Sequence, residues 1–304
     1  MVPPTKLSLR VLGACTAVHV AFSLIYVFVL PAGRVLPPAF AVMHVAAMIF
    51  MAGFHSVHHI GAKPAGIFFG MMVVLEWLAE QINISGSGWV FGHLIYDDHL
   101  VGPKLGDVPI IVPIAFAALV WPTFVMVNLL VEQRVVVLRK REGLGSLAWR
   151  CALYALVHTA WSFAIEPTCM ATGLYRYDRL VNGTAGTFFG VPMSELRGWA
   201  ILAFIQFFAY SRFVAPRLQL AEPKPVDLRV DVTPFILYGG FALFLVLKPV
   251  DPAIGAVTLW TMGFYMLASA YRLAAAHRDA RVSEPRAAHE AATYAPVPNP
   301  RPAV

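Results

Sequence analysis

Apolar runs of roughly 16 to 25 residues recur along most of the chain, about the length a helix needs to cross a bilayer core. Eight of them predict membrane helices, at about 11–30, 38–53, 66–78, 108–131, 147–165, 198–213, 233–247 and 253–273. The third is short and contains Glu76, and only Lys248-Pro-Val-Asp251-Pro separates the seventh from the eighth. The first run is longer than the apolar stretch of a cleavable signal, which is usually about 7 to 15 residues, so it predicts a retained helix. From Arg272 on, the chain is rich in Ala, Pro and Arg. That composition predicts a single integral-membrane domain over 1–273 and a disordered tail over 274–304.

Composition strengthens this reading. Of the 304 residues, 59% are apolar or aromatic and 13% are charged, against about 25% charged in a typical soluble domain. A soluble enzyme and a disordered chain are both excluded, and three cysteines form no disulfide framework. The net charge of +6 matters for orientation and does not indicate a nucleic-acid partner. In the eight-helix arrangement 17 of the 23 Lys and Arg fall on the side that holds both termini, which predicts that both termini are cytoplasmic. The fold class is therefore an all-α polytopic bundle in the cell membrane.

The charges that remain are unevenly placed. Two long connections on the opposite side, after the third and fifth helices, hold Glu76, Glu80, Asp97, Asp98, Asp107, Glu166, Asp178 and Glu195, 8 of the 17 acidic residues. Each begins with a carboxylate at a helix end, passes through glycines and aromatics, and closes on a Gly-Val-Pro type element that opens the next helix. That layout predicts an internal parallel repeat whose two loops converge on one face. Ionisable groups bordering a bilayer point to function, although loop acids are often simply solvated. Glu76, inside an apolar run, and Glu166, directly before Pro167 at the end of one, stand out.

At these residues the chain resembles the integral-membrane carotenoid 1,2-hydratases, also described as carotenoid biosynthesis proteins. Phe91-Gly92, Tyr96, Gly102-Pro103-Lys104-Leu105-Gly106 and Val108-Pro109 are similar to one family signature. Phe189-Gly190-Val191-Pro192 followed by Gly198-Trp199 is similar to the second. Three positions depart from the family pattern: Glu166 stands for Asp, Glu195 for Asn and His93 for Tyr. The resemblance implies addition of water across the terminal 1,2 double bond of an acyclic carotenoid end, with no redox cofactor and no metal. Such chemistry needs a carboxylic acid to protonate the alkene, aromatic faces to tolerate a tertiary cation and a positioned water. Glu166 or Glu76 is then the expected proton donor, with Glu80, Asp97, Asp98, His93 and Asp178 as further acid, base or water-orienting candidates. Trp89, Phe91, Tyr96, Tyr175, Tyr177, Phe188, Phe189 and Trp199 are expected at the substrate, though aromatics at membrane boundaries also serve as anchors. The implied partners are the lipid bilayer and a hydrophobic carotenoid or other isoprenoid.

Three other readings share these features. A polyene cyclase would trap the same cation with carbon or an internal oxygen. His55-Ser-Val-His58-His59 has the spacing of a histidine box in a di-iron lipid oxygenase, but the other histidines form no second box, and an interfacial headgroup cluster is the simpler expectation. A lipid transporter would also carry repeats and intramembrane acids.

Overall fold

The structure is a computed structural model that describes residues 6–30, 38–86, 88, 91–139, 142–179, 186–218 and 224–293. It is an all-α polytopic bundle. The helices are α1 (Lys6–Phe28), α2 (Pro38–Ile60), α3 (Ala62–Ser85), α4 (Asp98–Val101), α5 (Ile111–Glu132), α6 (Leu144–Ala171), α7 (Met193–Ala209), α8 (Leu228–Asp231), α9 (Thr233–Leu247), α10 (Pro252–Thr258) and α11 (Phe264–Thr293). Among the described residues seven helical segments are long and apolar enough to cross a membrane: α1, α2, α3, α5, α7 extended to Arg217, α8 with α9, and α10 with α11. The remaining expected span, the fifth, 147–165, lies inside α6, which has 28 residues and so is about 42 Å long. Arg150, His158, Ser162 and Glu166 dilute its apolarity, yet all four are buried in the bundle.

α5 is the centre of the bundle, packed against α2, α3, α6, α9 and α11. Every residue from Ala117 to Leu129 is buried, the mark of a helix that is apolar all round. The outer helices turn Val42, Met43, Val74, Ile82, Ile201, Trp260 and Leu267 outward, which supplies the lipid-facing surface.

Several expected boundaries move. α3 continues past Leu78 through Glu80 to Ser85, because both of its glutamates find polar partners inside the bundle. α6 does not stop at Glu166: Pro167 lies within the helix, which ends at Ala171. A proline removes one backbone hydrogen bond, and neighbouring helices compensate for such a loss in membrane bundles. Glu195, expected in a loop, sits on the first turn of α7. The final helix runs on to Thr293, so 274–293 are helical where a disordered tail was expected; alanine, arginine and glutamate there are strong helix formers.

Small strands organise the face that carries the two long connections. β1 (His93–Tyr96) pairs antiparallel with β4 (Tyr175–Arg179), with Tyr96 opposite Tyr175. β2 (Lys104–Leu105) with β3 (Val108–Pro109), and β5 (Thr187–Phe188) with β6 (Val191–Pro192), are two short hairpins leading into α5 and α7. The two connections thus run strand, hairpin, helix in the same order, and β1 and β4 join them.

Candidate active site

Four glutamates from three helices meet beneath the paired connections. Glu76, Glu80, Glu166 and Glu195 are 1%, 3%, 3% and 2% exposed, and they lie close enough for a charge on one to act on the others. Their partners are neutral side chains. Gln206 donates to Glu76 at 3.1 Å, Tyr96 to Glu80 at 2.8 Å, and the Trp199 indole N–H to Glu195 at 2.8 Å. The Tyr175 hydroxyl donates to Glu166, and Trp199 is also within reach of that carboxyl. The Tyr177 hydroxyl faces Glu195 without a well-directed hydrogen bond. One oxygen each of Glu76, Glu80 and Glu195 has no protein partner.

The local sequence builds this arrangement. Asn83, near the end of α3, donates to the Gly92 carbonyl at 2.7 Å and accepts from the Phe91 N–H at 3.0 Å, fixing the entry to β1. Gly92 has φ +97°, and a Cβ there would lie 3.2 Å from the Tyr177 ring, so glycine is required for the chain to pass so close to β4. The cross-strand rings of Tyr96 and Tyr175 meet edge to face at 5.8 Å. Each tyrosine therefore reaches back to the glutamate of the helix that precedes it. Burial, together with the carboxylates around them, raises both Tyr96 and Tyr177 above the ordinary phenol range, so both hydroxyls keep their protons near neutral pH.

Above the glutamates lies a cavity of about 580 Å³, within the roughly 300 to 1,000 Å³ of small-molecule sites. Its wall is apolar except at Glu80, Glu166, Glu195 and the two tyrosines; Ala41, Val42, Val45 and Ile49 of α2 face Ile111 and Ile114 of α5 across it. Val42 and Ile110 on this wall are also exposed on the outside of the bundle, so the cavity opens sideways between α2 and α5. A second cavity of about 430 Å³ shares Ala41, Val45, Ile165, Cys169 and Leu174 with it. Phe116, Trp161 and Trp199 line the inner end of the first, with Phe116 stacked on Trp199 at 4.4 Å and edge-on to Trp161 at 4.7 Å.

The expected residues divide accordingly. Glu80, Glu166, Tyr96, Tyr175 and Trp199 line the cavity. Glu76 lies in the cluster but not on the wall, and Phe91 packs against Trp199 at 5.0 Å. Asp97 caps α4 by accepting from the His99 N–H, and Asp98 forms an exposed ion pair with Lys104; neither is on the wall. The Lys104 ammonium holds the Asp98 carboxyl below the usual carboxylate range. His93 sits on β1 opposite Arg179. Phe188 packs on Phe163 and Phe189, with Phe189 on the outer surface. The backbone of Asp178 lies in β4, whereas its side chain and Trp89 fall outside the described residues. Gln206, Phe116 and Trp161 complete the site and were not singled out from sequence, and Glu195, noted there as a loop acid and a departure from the family pattern, was given no role.

The histidine motif is not the interfacial cluster expected. His55 and His59 are buried and bind Asp231: His59 Nε2 is 2.6 Å and His55 Nε2 3.3 Å from the same carboxylate oxygen. Three potential ligand atoms thus lie within 4.8 Å of one another, a donor set that could suit a divalent metal. The Trp121 indole N–H decides against that use, because it donates to His55 Nδ1 at 2.9 Å. A neutral imidazole that accepts at Nδ1 carries its proton on Nε2, so Nε2 turns an N–H toward Asp231 at 3.3 Å and is not a metal ligand. His58 turns instead to Lys224 at 3.1 Å. The motif is a hydrogen-bonded clamp between α2 and the start of the α8–α9 segment.

Residues 38–263 match the carotenoid biosynthesis protein family. The chain belongs to that family. It is also 28% identical over 210 residues to the bisanhydrobacterioruberin hydratase of Haloarcula japonica, a match that covers 66% of this chain and 65% of the relative. The chain thus spans slightly less than two thirds of that curated relative, and no solved structure matches it.

Two stability outcomes follow from these contacts. Asp231→Ala strands two buried imidazoles and should cost about 3 kcal/mol, read as a fall of several degrees in the melting temperature in detergent. Tyr96→Phe leaves Glu80 without a hydrogen-bond donor and should cost about 1–3 kcal/mol, whereas Asp98→Asn, at an exposed pair, should leave the melting temperature nearly unchanged.

Proposed function

We propose that this protein is a membrane-embedded hydratase that adds water to the terminal 1,2 double bond of an acyclic carotenoid end. The observation that carries the reading is the side-opening apolar cavity whose inner end is three glutamates and a group of aromatic rings. Membership of the carotenoid family and the hydratase name of the Haloarcula relative support the same chemistry. The isoprenoid end enters from the bilayer between α2 and α5, so no bulk water need accompany it. Glu166, on the cavity wall, gives its proton to the less substituted alkene carbon. The tertiary cation left behind meets the faces of Phe116, Trp161 and Trp199, each able to offer about 0.5–2 kcal/mol of cation–π attraction. Water then closes the carbon–oxygen bond. Glu76 is set behind the wall and supports Gln206, so it is the weaker choice of donor. The protein acts in the cell membrane with both termini on the cytoplasmic side, and the reaction uses no redox cofactor.

Expression in cells that accumulate lycopene tests this reading. The expected product is heavier than its precursor by one water, and Glu166→Gln should lower its formation by at least about 100-fold, the usual minimum contribution of a general acid, while protein still accumulates in the membrane. A product heavier by one oxygen would favour an oxygenase instead, and an isomer of unchanged mass a cyclase.

A further inference from the structure

Hydration moves a proton as well as using one. When the alkene takes a proton from one carboxylic acid, the water that attacks the cation must lose a proton to another group. The cavity wall offers three carboxyls, and their partners differ in kind. Glu80 and Glu166 are held by tyrosine hydroxyls. A hydroxyl can donate to a carboxylate or turn to accept from a carboxylic acid, so these two sites suit either protonation state. Glu195 has as its one directed hydrogen-bond donor an indole N–H, which can only donate, while the Tyr177 hydroxyl faces it without a directed bond. Its Oε1 is therefore an acceptor oxygen, which leaves Oε2 as the oxygen that can take up a proton. Its other oxygen, Oε2, is buried with no protein partner, on a residue that lines the cavity. A water bound there would lie against the reacting end of the substrate.

On the hydratase reading above, we propose that Glu195 is the catalytic base, its Oε2 taking the proton from the water that captures the cation. The π electrons of the alkene take the proton of Glu166, which becomes a carboxylate. A water lone pair forms the carbon–oxygen bond, and one O–H bond of the resulting oxonium breaks as its proton passes to Glu195. Each turnover thus shifts one proton from Glu166 to Glu195. The two carboxyls lie on the same cavity wall and close enough for a charge on one to act on the other, so the return of the proton is a step within the cavity.

The test is Glu195→Gln in the full-length protein in membranes, supplied with lycopene in D₂O. Wild type should place one deuterium on the carbon next to each new alcohol. The variant should lose at least 100-fold in hydrated product, yet recovered alkene should gain deuterium at its terminal positions or shift its double bond, because protonation by Glu166 still occurs and the cation collapses by losing a proton. Glu195→Asp should restore part of the hydration. Hydration within threefold of wild type in Glu195→Gln would overturn the assignment. So would loss of both hydration and exchange in variant protein whose melting temperature matches wild type. Absence of hydrated product from wild type itself would instead overturn the hydratase reading, and this assignment with it.

Discussion

Four carboxyl groups inside an apolar bundle are the constraint around which this structure is arranged. Ionised carboxylates are costly away from water unless paired, and here their observed partners are neutral donors: two tyrosine hydroxyls, an indole and a glutamine. Those donors come from elements that must be brought together for this purpose. Tyr96 and Tyr175 reach their glutamates because β1 and β4 pair in a register that sets the two rings opposite each other. Gln206 reaches Glu76 because α7 packs against α3, and Trp199 reaches Glu195 one turn away within α7 itself. The short strands at the membrane face are therefore what makes the buried acids tolerable.

A second polar device holds the other end of the bundle. His55 and His59 on α2 grip Asp231, whose second oxygen accepts the backbone N–H of Asp227. Trp121 of the central helix fixes the orientation of His55. The clamp ties α2, α5 and the entry to α9 at one point, and α2 is also one lip of the cavity opening.

Much of the fold was legible in the sequence, because spans announce themselves by long apolar runs, and all eight expected segments lie within the observed helices or overlap them closely. What apolarity could not reveal was where a helix tolerates polar residues: Glu80 and Pro167 both lie inside helices where an ending was expected. The site was legible in part. Glu76, inside an apolar run, and Glu166, at the end of one, stood out, with Glu80 as a further candidate. Glu195 was given no role because it was read as one more loop acid, whereas it sits on the first turn of α7. It also has no counterpart in the other loop: four residues after the valine of Val108-Pro109 stands Val112, whereas the same step after Val191 reaches Glu195. Phe116 and Trp161 carry no sequence signal, since an aromatic facing a cavity and one facing the core look alike along a chain. The histidine motif shows the converse, a metal-like spacing whose hydrogen-bonding neighbour gives it another use.

The sideways opening between α2 and α5 bears on which molecules the site can tell apart. On the proposed function, a polyene that enters end first would leave its far end lying among the lipids, beyond the reach of any protein side chain. Discrimination must then rest on the few carbons next to the glutamates. Chain length, and whatever group the opposite terminus bears, would be judged by the bilayer's capacity to hold them and not by the protein. On that reading the site would select for an end group and remain indifferent to the rest of the molecule.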